Sequence, residues 1–235
     1  MARKVKEEDY AQRRNDILDA AQTLIYSKGY EQMSIQDILD SLNISKGAFY
    51  HYFDSKQALL DGLVERMFDQ AEQVMRPIVD APDLSALEKL QQYLDTGGRW
   101  KLSQKAFMLN LLRVWRADAN ALVRLKQETE GLKRIAPMLS QIIRQGMDES
   151  VFTTRYPEEF GAMIMGLSRG VEDEISELLL AEKPPPDALH RLEEAMSAYS
   201  DAIERILGIP SGSIHLGDME VFRGWLEEPV GVEKT

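Results

Sequence analysis

The sequence contains no cysteine. That absence excludes a disulfide framework, thiolate catalysis and cysteine-ligated zinc or iron–sulfur sites. Histidine is almost as scarce, and His51, His190 and His215 are too scattered along the chain to suggest a metal site. No apolar run is long enough to cross a bilayer, and Met1 to Tyr10 is charged with no hydrophobic stretch behind it. Neither a signal peptide nor a membrane span is therefore expected, and the expected location is cytoplasmic. Internal repeats and low-complexity segments are also missing. What remains is an ordinary globular balance over 235 residues, 44% hydrophobic and 29% charged, enough to bury a real core.

A net charge of -11 argues against nucleic acid until its distribution is read. Up to Lys56 there are eight Lys or Arg against nine Asp or Glu, a net of -1, so the remainder carries -10. Arg3, Lys4, Lys6, Arg13 and Arg14 gather at the start, and Lys46, His51 and Lys56 surround one short segment. A solvated basic tail would look the same, so only a motif can decide between the two.

Helical periodicity runs almost throughout, with no convincing strand. Ile17, Ala21, Leu24 and Ile25 mark a first helix that Gly29 can close in the left-handed conformation. Ile35, Ile38, Leu39 and Leu42 give a short second helix, with Ser34 as N-cap and Asp37 in its first turn. After Asn43, Ile44 and Ser45, the segment Lys46 to Phe53 forms a short third helix whose Phe49 and Phe53 face the core. Asp54 or Ser55 can cap a long fourth helix with the stripe Leu60, Val64, Met67, Ala71, Val74 and Ile78. Further helices are expected over Leu84 to about Tyr93, Gln104 to Trp115, Leu122 to about Gly146 with a kink or break at Pro137, Pro157 to Leu180, and Asp187 to Leu207. Beyond Gly208, Met219, Val221, Phe222, Trp225 and Leu226 are too apolar for a linker, so the tail should pack on something.

The segment Ser34 to Phe53 meets the demands of a helix-turn-helix, in which one helix braces and a second, after a tight turn, projects its N-terminal side chains into the major groove. Ser45 can cap the second helix and aim its positive end at phosphate. Gly47 and Ala48 are small enough for the backbone to approach base edges, where Ala48 could touch a thymine methyl, and Lys46 can reach guanine acceptors or phosphate. Tyr50 and His51 lie opposite Phe49 and Phe53 and are displayed outward.

Ser34-Ile35-Gln36-Asp37-Ile38, Ser45-Lys46-Gly47-Ala48-Phe49-Tyr50-His51-Tyr52-Phe53 and Ser55-Lys56-Gln57-Ala58-Leu59-Leu60 together resemble the DNA-binding signature of the TetR (tetracycline-repressor) family over Ile17 to about Leu63. The resemblance implies an all-α fold, with a helix-turn-helix domain over 1–56 and an effector-binding and dimerisation domain over 57–235, including the tail 209–235. It implies that Ser34 contacts phosphate, that Gln36 and Lys46 to Ala48 lie near base edges, that Tyr50 and His51 touch bases or phosphate, and that Lys56 anchors the backbone. Asn43 stands where the family usually has glycine, but asparagine tolerates the left-handed conformation, so the turn should survive. The resemblance further implies a repressor that binds a palindromic operator on double-stranded DNA. It would act as a homodimer through helices 157–180 and 187–207, be released by a small-molecule effector and need no cofactor. Gly166 and Gly170 would permit the close helix approach of such a dimer, although intramolecular packing explains the same apolar stripes.

Two rival readings attach to other residues. Gly166-Leu167-Ser168-Arg169-Gly170 fits the nucleophile elbow of serine hydrolases, with His190 or His215 and Asp173 or Asp187 as partners. That motif needs a strand before the serine, whereas Phe160, Ile164, Leu167, Val171 and Ile175 keep helical register straight through it. A helical sensor without DNA affinity is the other reading. Trp100, Phe107, Met108, Trp115 and Met163 could line its apolar pocket, with Arg113 or Arg116 meeting an anionic ligand.

Overall fold

A computed structural model describes residues 2–104, 109–110, 121–181, 183–217, 219 and 222–223. Every regular element among them is a helix: α1 (Ala2–Gln32), α2 (Ile35–Leu42), α3 (Lys46–Tyr50), α4 (Lys56–Val79), α5 (Ala86–Ser103), α6 (Ala121–Asp148), α7 (Pro157–Leu180) and α8 (Ala188–Leu207). The expected helix over Gln104 to Trp115 lies almost wholly outside the described residues.

The chain divides into two compact units, one of residues 1–69 with 106–127 and one of 70–105 with 128–235. The division falls inside α4, at Asp69. The reason is burial: Leu59, Leu60, Leu63 and Val64, in the first turns of α4, are all sealed from solvent, as are Ile17, Leu18, Ala21 and Ile25 of α1. Four such aliphatic side chains, each contributing roughly 1.5–3 kcal/mol on burial, tie the start of α4 to the N-terminal unit.

In that unit, α1 is interrupted at Gly29, whose φ of 80° and ψ of 158° are not helical, so the glycine breaks the helix as its position suggested. Farther along, the α4 stripe departs from expectation. Val74 is exposed and Ile78 half-buried, while Met75 and Val79 are buried instead. From Met67 the buried positions run in uninterrupted steps of four, through Ala71, Met75 and Val79, rather than in alternating steps of four and three.

The second unit is centred on Met75, Leu90, Met138, Leu139, Ile142, Ile164, Ile203 and Leu207. Two of its glycines allow close approaches. A Cβ on Gly161 of α7 would overlap Ser140 Oγ and stand 2.8 Å from the Ala136 carbonyl of α6, and one on Gly146 would overlap the Phe152 ring. Ser140 Oγ donates to the Ala136 carbonyl at 3.0 Å, and Tyr199 of α8 donates its hydroxyl to the Ile164 carbonyl of α7 at 3.0 Å. The helix α6 runs on through Pro137 rather than breaking there.

The described part of the tail does pack. Ile214 joins the core, while Met219 and Phe222 cover Leu178, Ala188, Leu192 and Met196. The buried Glu204 carboxylate accepts the Gly212 and Ile214 N–H groups at 3.1 and 2.9 Å, and Gln91 exchanges two hydrogen bonds with the His215 backbone at 2.7 and 3.0 Å. Val221, Trp225 and Leu226 lie outside the described residues.

Candidate nucleic-acid interface

Each end of the two short helices is closed by a side chain or a backbone conformation that the local sequence supplies. Ser34 Oγ accepts the Asp37 N–H at 3.2 Å while Asp37 Oδ2 accepts the Ser34 N–H at 2.7 Å, a reciprocal capping box. Lys28 completes it at 2.7 Å from Asp37 Oδ1. These donors, Lys28 first, hold the Asp37 carboxyl well below the usual carboxylate range, so the cap is ionised at neutral pH. At the other end Asn43 takes φ 50° and ψ 47°, the left-handed conformation expected of it, and the turn closes with the Ile44 N–H donating to the Leu39 carbonyl at 3.0 Å. Ser45 Oγ then accepts the Ala48 N–H at 3.1 Å and starts α3.

This second helix is shorter than its apolar spacing suggests, ending at Tyr50 with His51 as C-cap. The turn continues as the Tyr52 and Phe53 N–H groups both donate to the Phe49 carbonyl, at 2.9 and 3.1 Å. Phe49 is fully buried, Phe53 nearly so, and their rings lie 6.0 Å apart. Tyr50, on the other side, is 40% exposed, with Lys46 Nζ 5.9 Å from its ring. Lys46, Gly47 and His51 are exposed, and Ala48 is half-buried.

The remaining site residues fall around this surface. Gln36 is exposed on α2 and donates to Asp40 Oδ1 at 2.7 Å. Ser55, rather than Asp54, caps α4 by accepting the Ala58 N–H at 3.0 Å. Lys56 is more engaged with its own unit than its proposed role suggests: its ammonium donates to the Glu31 carbonyl at 3.2 Å and sits 4.3 Å from the centre of the Tyr30 ring. Burial lowers its pKa and pushes the Tyr30 hydroxyl up to about 12.

Three contributors escape a reading based on the motif alone. Tyr10 of α1 stacks 4.7 Å from the Tyr52 ring and meets His51 edge-on at 5.7 Å. Arg14 lies 5.2 Å over Phe53 and pairs with Glu65 at 3.0 Å. Gly62 is the third, since a Cβ there would come within 2.9 Å of Phe53 and 3.1 Å of Arg14. Helical spacing puts Gly62 beside Leu59 and Leu63 on the buried face, which is the one signal that pointed to it.

Residues 17–63 match the family model described as bacterial regulatory proteins, tetR family, and residues 111–178 match the tetracyclin repressor-like, C-terminal domain. Both matched segments are those of the TetR family. Among curated relatives it is similar to the HTH-type transcriptional repressor KstR2 of Rhodococcus jostii, 36% identical over 28% of this chain and 33% of that protein. It is also similar to IcaR, the negative transcriptional regulator of the biofilm operon icaADBC in Staphylococcus aureus, 32% identical over 34% and 43% of the two lengths. The chain thus matches less than half the length of these relatives. The fold of a TetR-family transcriptional regulator from Pectobacterium atrosepticum superposes with a TM-score of 0.65 at 19% identity, covering 86% of this chain and 98% of that one.

Local geometry argues against the elbow motif. Ser168 lies in the middle of α7 with its Oγ donating to the Met165 carbonyl at 2.8 Å, so no strand-turn-helix presents it. Met163, placed by sequence in an effector pocket, is 53% exposed on the same helix. Trp100 is half-buried on α5, whereas Phe107, Met108, Arg113, Trp115 and Arg116 lie outside the described residues. A groove of about 370 Å³ does run between α8 and the tail, lined by Ser197, Ser200 and His215, and neither Trp100 nor Met163 lines it. Among the described residues no helix is long and apolar enough to cross a membrane.

Proposed function

We propose that this protein is a DNA-binding transcriptional regulator, a repressor that reads a palindromic operator as a homodimer and leaves it when a small molecule binds. The observation that carries the reading is the outward pair Lys46 and Tyr50 on a helix capped by Ser45 and backed by fully buried Phe49. A cation and an exposed phenol at one helix tip suit phosphate and base edges, and Gly47 leaves room for close approach. The roles follow from position. Ser34, Ser45 and Lys56 contact the backbone, and Gln36, Lys46 to Ala48, Tyr50 and His51 face bases or adjoining phosphates.

Dimerisation is supported by the outer face of α7. Met163 and Leu167 are exposed there, and the space beside Gly166 and Gly170 is open, which suits close packing of a second copy's helix. With α8 this would complete a four-helix bundle and set two recognition helices about one DNA turn apart. The effector acts by population shift. It binds outside the helix-turn-helix, in the state whose recognition-helix spacing misfits the operator. Such a regulator works in the cytoplasm.

Mutation separates reading from anchoring. Tyr50→Ala is expected to weaken binding to the preferred duplex by about 1–3 kcal/mol and leave non-specific binding intact, whereas Lys56→Ala weakens all duplexes alike. Fluorescence anisotropy on preferred and scrambled duplexes distinguishes the two. Wild-type behaviour of both variants on both duplexes would remove these contacts from the account.

A further inference from the structure

Gln36 and Asp40 stand one turn apart on the exposed side of α2, away from the buried Ile38 and Leu39. The Gln36 amide donates to Asp40 Oδ1 at 2.7 Å, the short end of the range for an N–H···O bond. A carboxylate only accepts, so this bond settles which end of the amide is which: the nitrogen faces Asp40 and Oε1 is turned away from it. The nitrogen carries a second hydrogen, and neither it nor Oε1 has a partner among the described residues. Asp40 likewise makes no other side-chain bond among them. The capping box of Ser34 and Asp37 fixes the helix turn from which Gln36 projects, so both the backbone and the amide of this residue are held before any ligand arrives.

We propose that Asp40 is a positioning residue that fixes the Gln36 amide so that it reads adenine, and rejects guanine, at one base pair of each half-site. The proposal rests on the DNA-binding reading above and names the base that one of its contacts selects. In the major groove adenine presents an acceptor at N7 and a donor at N6, whereas guanine presents acceptors at both N7 and O6. The free N–H and the Oε1 of Gln36 supply the donor and the acceptor that adenine needs. Guanine would set its O6 against Oε1, and the amide cannot turn over to meet it without giving up the bond to Asp40. In the absence of Asp40 the last torsion of the side chain is broad, and the two hydrogens of the nitrogen then suit guanine as well as adenine.

The test is the ratio of affinities for adenine and guanine at the position that Gln36 reads. Selection from a random pool by wild-type protein and by Gln36→Ala locates it, as the position whose preference only the wild type shows. Fluorescence anisotropy then compares the selected duplex with one carrying G·C in place of A·T there. Wild-type protein should favour adenine by about 5- to 150-fold per half-site, the discrimination of one bidentate contact. Asp40→Ala should lower that ratio at least about threefold, at this position alone and with the melting temperature near that of wild type. Removing an acid beside DNA also strengthens binding to every duplex, a change that cancels in the ratio. An unchanged ratio in Asp40→Ala, an equal relaxation at positions that Gln36 does not read, or the lack of any adenine whose selection depends on Gln36 would overturn the inference and leave the DNA-binding reading standing. If wild-type protein selects no duplex, both fall together.

Discussion

Replacing Phe49 by alanine is expected to cost about 3–5 kcal/mol of stability and to abolish DNA binding with it. The ring is fully buried on a helix of five residues, where almost nothing else holds α3 in place. Its neighbour Phe53 lies 6.0 Å away, and Tyr50 meets its edge at 5.5 Å. A helix so short has no stability of its own and exists because its apolar side is docked. Urea unfolding measures the loss, and anisotropy on the preferred duplex measures the function. The comparison with Tyr50→Ala is informative, because that neighbouring substitution should weaken reading while barely changing the urea midpoint. A Phe49→Ala protein that loses under about 1 kcal/mol would mean that the α3 docking described here is wrong.

Glu204→Ala should have the second largest effect, about 2–4 kcal/mol, because the buried Ile214 N–H and the partly buried Gly212 N–H would lose a charged acceptor at once. The carboxylate is 3% exposed and holds Gly212 at 3.1 Å and Ile214 at 2.9 Å, which places Ile214 in the core of the C-terminal unit. Glu204→Gln keeps an acceptor oxygen and should lose much less. Proteolysis within 209–217 should accelerate in the alanine variant and remain near wild type in the glutamine one. Equal stability of Glu204→Ala and wild type in urea would show that the tail is held by Ile214 and its apolar neighbours alone.

How much of this was legible beforehand depended on whether the signal was local. The caps Ser34 and Ser45, the left-handed Asn43 and the buried pair Phe49 and Phe53 are encoded within a few residues of where they act, and all of them are found in place. The helices Pro157 to Leu180 and Asp187 to Leu207 were likewise readable from their bounding prolines and glycine, to within one residue. The late turns of α4 were not, since beyond Asp69 the helix belongs to the second unit, whose core buries Met75 and Val79 rather than Val74 and Ile78. Contacts made across sequence were the least accessible. No spacing rule announces that Lys28 would neutralise Asp37, that Tyr10 would stack on Tyr52, or that Lys56 would settle on Tyr30 and the Glu31 carbonyl. The same holds for the C-terminal tail, whose apolar residues signalled packing without revealing Glu204 and Gln91 as its anchors.

The most direct measurement is selection of bound duplexes from a random pool by the purified 235-residue protein, followed by sequencing. The account predicts recovery of a twofold-symmetric sequence whose half-site centres lie about 10 base pairs, or a multiple of that, apart, and loss of that enrichment with Tyr50→Ala. Recovery of the starting pool unchanged, with no duplex retained even in dilute buffer, would contradict it.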